Sequence, residues 1–498
     1  METPLNDHPS KSSLQYDQFL GAHPEFKALA FDELRANEYG RLDKNGQVYL
    51  DYTGGGLYAT SQLQNHFDLL NGSVFGNPHS INPSSLAMTE RVDQARAYVL
   101  EFFNAPPQEY LAIFTSNASG ALKLLGEAYP FSPDSRYVLT YDNHNSVNGI
   151  REFASARGST VAYIPMLPDE MRIDRNALQV QLKEADTSAR NLFAYPAQSN
   201  FSGVKHPLEL IGEAQDMGWD VLLDAAAFVP TNPLDLSQCK PDFMAISFYK
   251  MFGFPTGVGA LIARRDTLKK LLRPWFAGGT ITIASVQANA HSMAEGEARF
   301  EDGTINYLGF PAVEFGLRHL MDVGMEKIQS RVRILTGWLL EKMSVLTHSN
   351  GNPLVKIHGP KDTRERGGTI AFNVLDRDGA SFDIRLIESL ANEAGISLRT
   401  GCFCNPGAGE VAFNVSREEI ERFFEQGVTY TFDQLRAGFL EEYGRDIGAV
   451  RVSVGIVTNF ADLHAFLEFL AGFLDKRVDE LDVDTMQQLG DLRSRDSA

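Results

Sequence analysis

Seven short apolar runs, Tyr110 to Thr115, Tyr137 to Tyr141, Thr160 to Ile164, Asn191 to Tyr195, Val221 to Leu223, Phe243 to Ser247 and Val258 to Ala263, alternate with stretches of helical character. Strands separated by helix-length connections do not pair as tight hairpins, so the pattern predicts an α/β domain with a mostly parallel central sheet. Ligands of such sheets gather beyond the carboxyl ends of the strands. The polar residues that close the apolar runs are therefore the candidate site residues. Phe243-Met-Ala-Ile-Ser-Phe-Tyr-Lys250 ends in an amine and runs into the glycine-rich Met251-Phe-Gly-Phe-Pro-Thr-Gly-Val-Gly259. Trp219-Asp-Val-Leu-Leu-Asp224 ends the preceding run in a carboxylate. Alone, each fits a solvated lysine or a turn-capping aspartate; as a pair at neighbouring strand tips they suggest a cofactor held between them.

Three further run ends narrow the chemistry. Phe114-Thr-Ser-Asn-Ala-Ser119-Gly120 precedes a stretch of helical character, Ala121 to Ala128, and a helix start rich in small residues offers free N–H groups and a positive dipole end to a phosphate. His144, in Tyr141-Asp-Asn-His144-Asn-Ser, can stack on an aromatic ring and carry protons near neutral pH. Asn200, in Ala194-Tyr-Pro-Ala-Gln-Ser-Asn200, suits hydrogen bonding to a phenolic oxygen. Pyridoxal phosphate needs this set, with an amine for its aldehyde and a carboxylate to keep its ring nitrogen protonated. A separate loop, Leu398-Arg399-Thr-Gly401-Cys402-Phe-Cys404-Asn-Pro-Gly407, carries two thiols, with Arg399 close enough in sequence to favour a thiolate. A single Cys-x-Cys without a second Cys/His pair is a poor zinc ligand set, so no metal is expected. Arg451, within Ala449-Val-Arg451-Val-Ser, is a candidate for binding a substrate carboxylate, and Arg399 joins it.

The formal charge is −19, from 45 basic and 64 acidic residues, which argues against nucleic acid or an anionic membrane as the main partner. The first residues lack the basic start and apolar stretch of a signal peptide, and no apolar run has spanning length, so a cytoplasmic location is expected. Three cysteines cannot build a disulfide framework. Residues 1–45 read as an N-terminal arm, amphipathic near Phe19 to Leu34, packing on a small domain. Residues 46–315 read as the large cofactor-binding domain, 316–485 as a smaller α+β domain, and 486–498 as a flexible tail. The small domain is predicted to hold a long helical stretch from Phe315 to Leu346, strands near Val355 to Ile357 and Thr369 to Val374, and a helix from Phe382 to Ala394.

With these residues assembled, the chain resembles the class V, fold type I pyridoxal-phosphate enzymes, and most closely the cysteine-desulfurase-like domain of molybdenum cofactor sulfurases. The likeness runs in motif order from about Leu50 to Phe460, through Gly76-Asn-Pro-His79-Ser, Asp142-Asn-His-Asn-Ser-Val, Leu223-Asp-Ala-Ala-Ala, Ser247-Phe-Tyr-Lys-Met-Phe-Gly-Phe-Pro-Thr-Gly257, Phe300-Glu-Asp-Gly-Thr304 and Thr400-Gly-Cys-Phe-Cys-Asn-Pro-Gly407. The resemblance implies that Lys250 holds the coenzyme as a Schiff base, Asp224 its pyridine nitrogen and Asn200 its ring oxygen, with His144 stacked on the ring. It implies Ala118, Ser119 and Ser247 at the phosphate, and Thr304 reaching the phosphate of a partner subunit in a homodimer. Cys404 takes the place of the desulfurase nucleophile, and Arg451 that of the carboxylate-binding arginine. L-cysteine is then the expected substrate and alanine the product, with an acceptor protein or the molybdenum cofactor taking the sulfur. The chain departs from the pattern at Gly409, where a further Cys is common, and at Ala227, where many desulfurases have a polar residue. It also stops at Ala498, where the sulfurases usually continue into a further domain. Glu410 to Gly448 is an insertion with helical-looking Arg417 to Gln426 and Phe432 to Tyr443. A class V aminotransferase, epimerase or C–S lyase is the alternative enzyme on this scaffold, and a binding protein with a dead site the alternative outside enzymes.

Overall fold

The computed structural model describes residues 14–480 apart from 30, 79, 187, 426 and 428. The expected tail at 486–498, the first residues of the arm and the expected helix end at Gln426 lie outside the described residues. Seven strands form the central sheet: β1 (Tyr110–Thr115), β2 (Arg136–Thr140), β3 (Thr160–Ile164), β4 (Asn191–Pro196), β5 (Trp219–Asp224), β6 (Phe243–Ser247) and β7 (Gly259–Arg264), in the order β1-β7-β6-β5-β4-β2-β3. β2 to β6 pair in parallel, while β7 runs against both β6 and β1. The fold is thus α/β around a mostly parallel sheet. Strands β4, β5 and β6 are buried along their whole length, which is why each reads as an unbroken apolar run instead of an alternating one. All strands except β7 share one direction, so their carboxyl ends meet along a single edge.

The stretch Phe315 to Leu346 is two helices instead of one, Phe310–Val323 and Met325–Val345. Gly324 between them takes a φ of 93°, a conformation open to glycine at little cost and incompatible with a continuing α-helix. Beyond them lies an antiparallel sheet of β8 (Val355–His358), β9 (Thr369–Val374), β10 (Arg399–Gly401) and β11 (Ala449–Ser453), ordered β8-β9-β11-β10. β10 leads into the cysteine loop, and β11 carries Arg451. The amphipathic arm folds as Leu14–Ala22, Pro24–Ala28 and Phe31–Tyr39. Its Phe19 meets Trp338 and Phe460 at ring-centroid distances of 5.8 and 5.2 Å, and the Arg331 guanidinium lies over Phe26 and Phe31. Arg35 closes the contact with a buried ion pair to Asp462, 2.6 Å.

One histidine makes stability depend on pH. His358 is buried on β8 with Nε2 at 2.7 Å from Asn373 Oδ1, and burial pushes its pKa down to about 4. The unfolded chain binds a proton at about 6.5 that the fold refuses, so this residue's contribution is complete above that pH and lost as pH falls toward 4. Unfolding free energy measured by denaturant at about pH 7 and about pH 5 should drop by roughly 2 kcal/mol more in the parent protein than in His358→Gln. Equal drops would exclude the assignment.

Candidate active site

Lys250 sits just past β6, in the single-turn helix Phe248–Phe252, and Asp224 is the last residue of β5. Both line one cavity of about 140 Å³, whose wall also includes Asn117, Ala118, Ser119, His144, Ser146, Asn200, Ala227 and Ser247. Desolvation pulls the Lys250 pKa below the usual lysine value, and the Asp224 carboxylate only partly opposes this. A lysine so placed reaches its neutral, nucleophilic form more readily than a solvated one. Asp224 is buried and accepts the Ala226 N–H on one oxygen at 3.0 Å. His144 accepts the Ser146 N–H on Nδ1 at 3.1 Å, which fixes its ring and assigns any proton of the neutral form to Nε2. Burial, reinforced by Lys250, lowers its pKa, so the ring is neutral at neutral pH.

The phosphate-like end lies at the helix Ala118–Ala128. Gly259 is registered against Thr115 of β1 and Ser247 of β6, and a Cβ there would stand 2.5 Å from the Asn117 carbonyl carbon. The glycine lets the turn at Asn117 close onto the sheet. Ala118, expected among the coenzyme ligands, has its N–H committed to Ser247 Oγ at 2.8 Å, while Gly120 donates to Asn117 Oδ1 and Ala121 to the Asn117 carbonyl. The hydroxyls that meet on this part of the wall are Ser119 of this turn and Ser146 of the helix Asn145–Asn148, 2.6 Å apart. Ser146 is a site residue that the sequence reading missed. Thr304 is not in this cavity. It lines a neighbouring one of about 470 Å³ with Ser116, Gly120 and Trp275.

The antiparallel sheet β8-β9-β11-β10 and the loop after β10 bring their own residues to the rim. Cys404 is exposed, and it and Phe403 both have left-handed backbone, φ 53° and 56°. Asn200 donates through Nδ2 to the Phe403 carbonyl, 2.8 Å, and accepts on Oδ1 from Asn405 Nδ2, 2.8 Å. Arg451 donates to the Asn200 carbonyl, 3.0 Å, and its guanidinium lies 4.7 Å from the Phe403 ring centre. Arg399 and Arg451 are directly paired across β10 and β11, a like-charge arrangement that would be destabilising. Asp51 relieves it by binding Arg451 at 3.0 Å and Arg399 at 2.7 Å. Neither arginine, nor Cys404, lines the Lys250 cavity, yet all three lie close enough for their charges to act on Lys250. The Nε–H of Arg451 is buried without a partner among the described residues, which leaves a donor for an incoming carboxylate. The insertion after Glu410 forms Arg417–Glu425 and Phe432–Tyr443, which pack on each other through Phe423 and Phe439 and dock to the helix Ile384–Glu393 through Arg385–Asp433 and Arg436–Asp383. Among the described residues no cluster of His, Cys, Asp and Glu could hold a metal ion, and no helix is long and apolar enough to cross a membrane.

An activated amine, a buried carboxylate, an amide donor, a neutral imidazole and a hydroxyl-rich helix start match pyridoxal phosphate group by group. Comparison with known proteins agrees with this geometry. The profile of the family Aminotransferase class-V matches residues 48–466. The molybdenum cofactor sulfurase of Solanum lycopersicum is 39% identical over 490 residues, which cover 91% of this chain and 59% of that protein. The Homo sapiens molybdenum cofactor sulfurase is 36% identical over 463 residues, 88% of this chain and 51% of that protein. The chain thus spans between half and three fifths of the length of these relatives. Among solved structures, the apo cysteine desulfurase of Thermococcus onnurineus NA1 superposes with a TM-score of 0.73 at 22% identity, over 89% of this chain and 98% of that one. A cysteine desulfurase from Escherichia coli gives 0.68 at 20% identity, over 88% and 97%.

Proposed function

Because the chain belongs to the class V aminotransferase family, we propose that it is a pyridoxal-phosphate-dependent cysteine desulfurase of the molybdenum cofactor sulfurase type. It converts L-cysteine to L-alanine and keeps the sulfur as a persulfide on Cys404. What carries this reading is one cavity that joins Lys250 to Asp224, with a thiol loop tied to its rim through Asn200. Pyridoxal phosphate, when bound, supplies an electron sink that acidifies the substrate's Cα and loosens the bond to its sulfur.

The residues divide the remaining work. Lys250 would hold the coenzyme's aldehyde carbon, and its amine, whose pKa is already depressed, would move the substrate's Cα proton. Asp224 would keep a proton on the ring nitrogen, and Asn200 would serve the ring oxygen. His144 would lie against the ring and, being neutral, could accept a proton. Ser119, Ser146 and Ser247 would hold the phosphate. Arg451 orients the substrate carboxylate through its unpartnered Nε–H, and Asp51 and Arg399 fix the arginine's position. The Cys404 thiolate attacks the substrate sulfur, so that an S–S bond forms and the C–S bond breaks. The electron pair of the broken bond stays with the three-carbon fragment, which would take a proton at Cβ, regain one at Cα from Lys250, and leave as alanine.

A homodimer is part of the proposal. Its support is the separate cavity around Thr304 and the hairpin Ile281–Ser285/Ala290–Met293, which exposes Ile283 and, at its turn, Val286. Delivery of the sulfur to an acceptor protein or to the molybdenum cofactor, in the cytoplasm, completes it. Incubation of purified protein, reconstituted with pyridoxal phosphate, with L-cysteine and a thiol reductant should yield alanine and sulfide in equal amounts. Pyruvate would instead mark a C–S lyase, a keto acid a transaminase, and no product an inactive scaffold; each would reject the proposal.

A further inference from the structure

Asn405 follows the exposed thiol and is itself fully buried. Its carboxamide uses three of its four hydrogen-bonding positions. Nδ2 gives one hydrogen to the Asp142 carbonyl, 2.7 Å, and the other to Asn200 Oδ1, 2.8 Å, while Oδ1 accepts the Ala408 N–H at 3.2 Å. Exchanging its oxygen and nitrogen would set a carbonyl against the Asp142 carbonyl and an NH₂ against the Ala408 N–H, so these two backbone groups allow only one orientation. That orientation decides the next amide. Because Asn405 donates, Asn200 must present Oδ1 to it, and the Asn200 NH₂ is turned the other way. One of its hydrogens goes to the Phe403 carbonyl; the second remains for the cavity that Asn200 lines.

Resting on the coenzyme reading above, we propose that Asn405 is a positioning residue that fixes the Asn200 amide with its N–H, and not its carbonyl, facing the ring oxygen of the coenzyme. The same side chain ties the cysteine loop to the large domain. Asn405 N–H closes onto the Cys402 carbonyl at 3.0 Å, and the Cys404 carbonyl accepts from Asn145 N–H at 2.7 Å. One amide thus couples the place of the thiol to the polarity of the coenzyme site.

Two replacements cut the link while keeping an oxygen to cap Ala408. Asn405→Asp puts an acceptor where the donor to Asn200 stood, and Asn405→Ser withdraws that donor by shortening the side chain without adding charge. An N–H facing the ring oxygen favours its anionic form, so its loss raises the pH at which the coenzyme's visible absorbance band titrates. Full-length protein reconstituted with pyridoxal phosphate is titrated spectrophotometrically in five forms: parent, Asn405→Asp, Asn405→Ser, Asn200→Ala, and Asn200→Ala with Asn405→Ser. Each single variant should move the midpoint up by roughly one pH unit, and the double variant should move it no further than Asn200→Ala alone. Midpoints at the parent value in both Asn405 variants, or shifts that add in the double variant, overturn the inference, since a merely structural residue would act independently of Asn200. A parent protein without any visible band overturns the coenzyme reading and this inference together, so the two failures are told apart by the parent alone.

Discussion

Lys250→Ala is expected to lose alanine formation by roughly 10⁴-fold or more, about 5 to 6 kcal/mol of barrier. Two functions reside in one nitrogen. As the only amine that lines the cavity among the described residues, it would, on the proposed reading, both tether the coenzyme and move the substrate's Cα proton. General acid–base work alone contributes about 10² to 10⁴, and loss of the covalent tether adds to it. Retention of the coenzyme should be weaker but not abolished, since the hydroxyls of Ser119 and Ser146 and the Asn117 turn are untouched. The visible band of the tethered coenzyme should be absent, and a small primary amine added to the buffer should restore part of the proton transfer. A variant within tenfold of the parent rate would remove Lys250 from the chemistry. The same logic gives the pH dependence a direction. The Lys250 and His144 pKa values are both lowered, in each case chiefly by desolvation, so the forms that accept protons persist to lower pH than solvated side chains would allow.

Lys250, Asp224, His144 and Asn200 could be read from the chain because the signal for each is local: a polar residue closes an apolar run. The parallel strands do the rest, since shared direction brings every such closure to one edge of the sheet. Where a role depends on a partner far along the chain, no such signal exists. Asp51 and Arg451 are 400 residues apart, and Asn405 and Asn200 are 205 apart. A pattern of apolar runs says nothing about which distant loops will touch. Ala118 illustrates the converse: its position at a helix start was legible, but its N–H is taken by Ser247 from another strand. Direction is also silent in a buried strand. β7 is as apolar as its neighbours and runs opposite to them. Gly324 carries no break signal in the sequence, because a glycine inside a helical pattern costs only about 1 kcal/mol and is often tolerated; its positive φ of 93° is set by the packing of the two helices it separates.

Cys404→Ser should bind the coenzyme as the parent does and fail at the sulfur step, with alanine formation from L-cysteine down by roughly 10³-fold or more. The argument begins with access. Of the three cysteines, Cys239 and Cys402 are partly covered while Cys404 is exposed. Burial pushes the Cys239 pKa up to about 12 and raises that of Cys402, so both are held as thiols. The backbone at Phe403 and Cys404 is left-handed, a conformation that costs of order 1 kcal/mol or more per non-glycine residue. It is retained by the hydrogen bonds from Asn145, Asn200 and Asn405 and by the Arg451 guanidinium over the Phe403 ring. That twist projects the Cys404 thiol outward while Phe403 is buried. A serine hydroxyl would occupy the same place, yet at neutral pH it is not ionised and has no comparable affinity for divalent sulfur. Mass spectrometry of the parent after a single turnover without reductant should find one added sulfur on the peptide containing Cys404. Cys402→Ser should retain that addition and most of the alanine, whereas Cys404→Ser should lose both and keep the visible band. Alanine released at the parent rate by Cys404→Ser would show that sulfur leaves by another route.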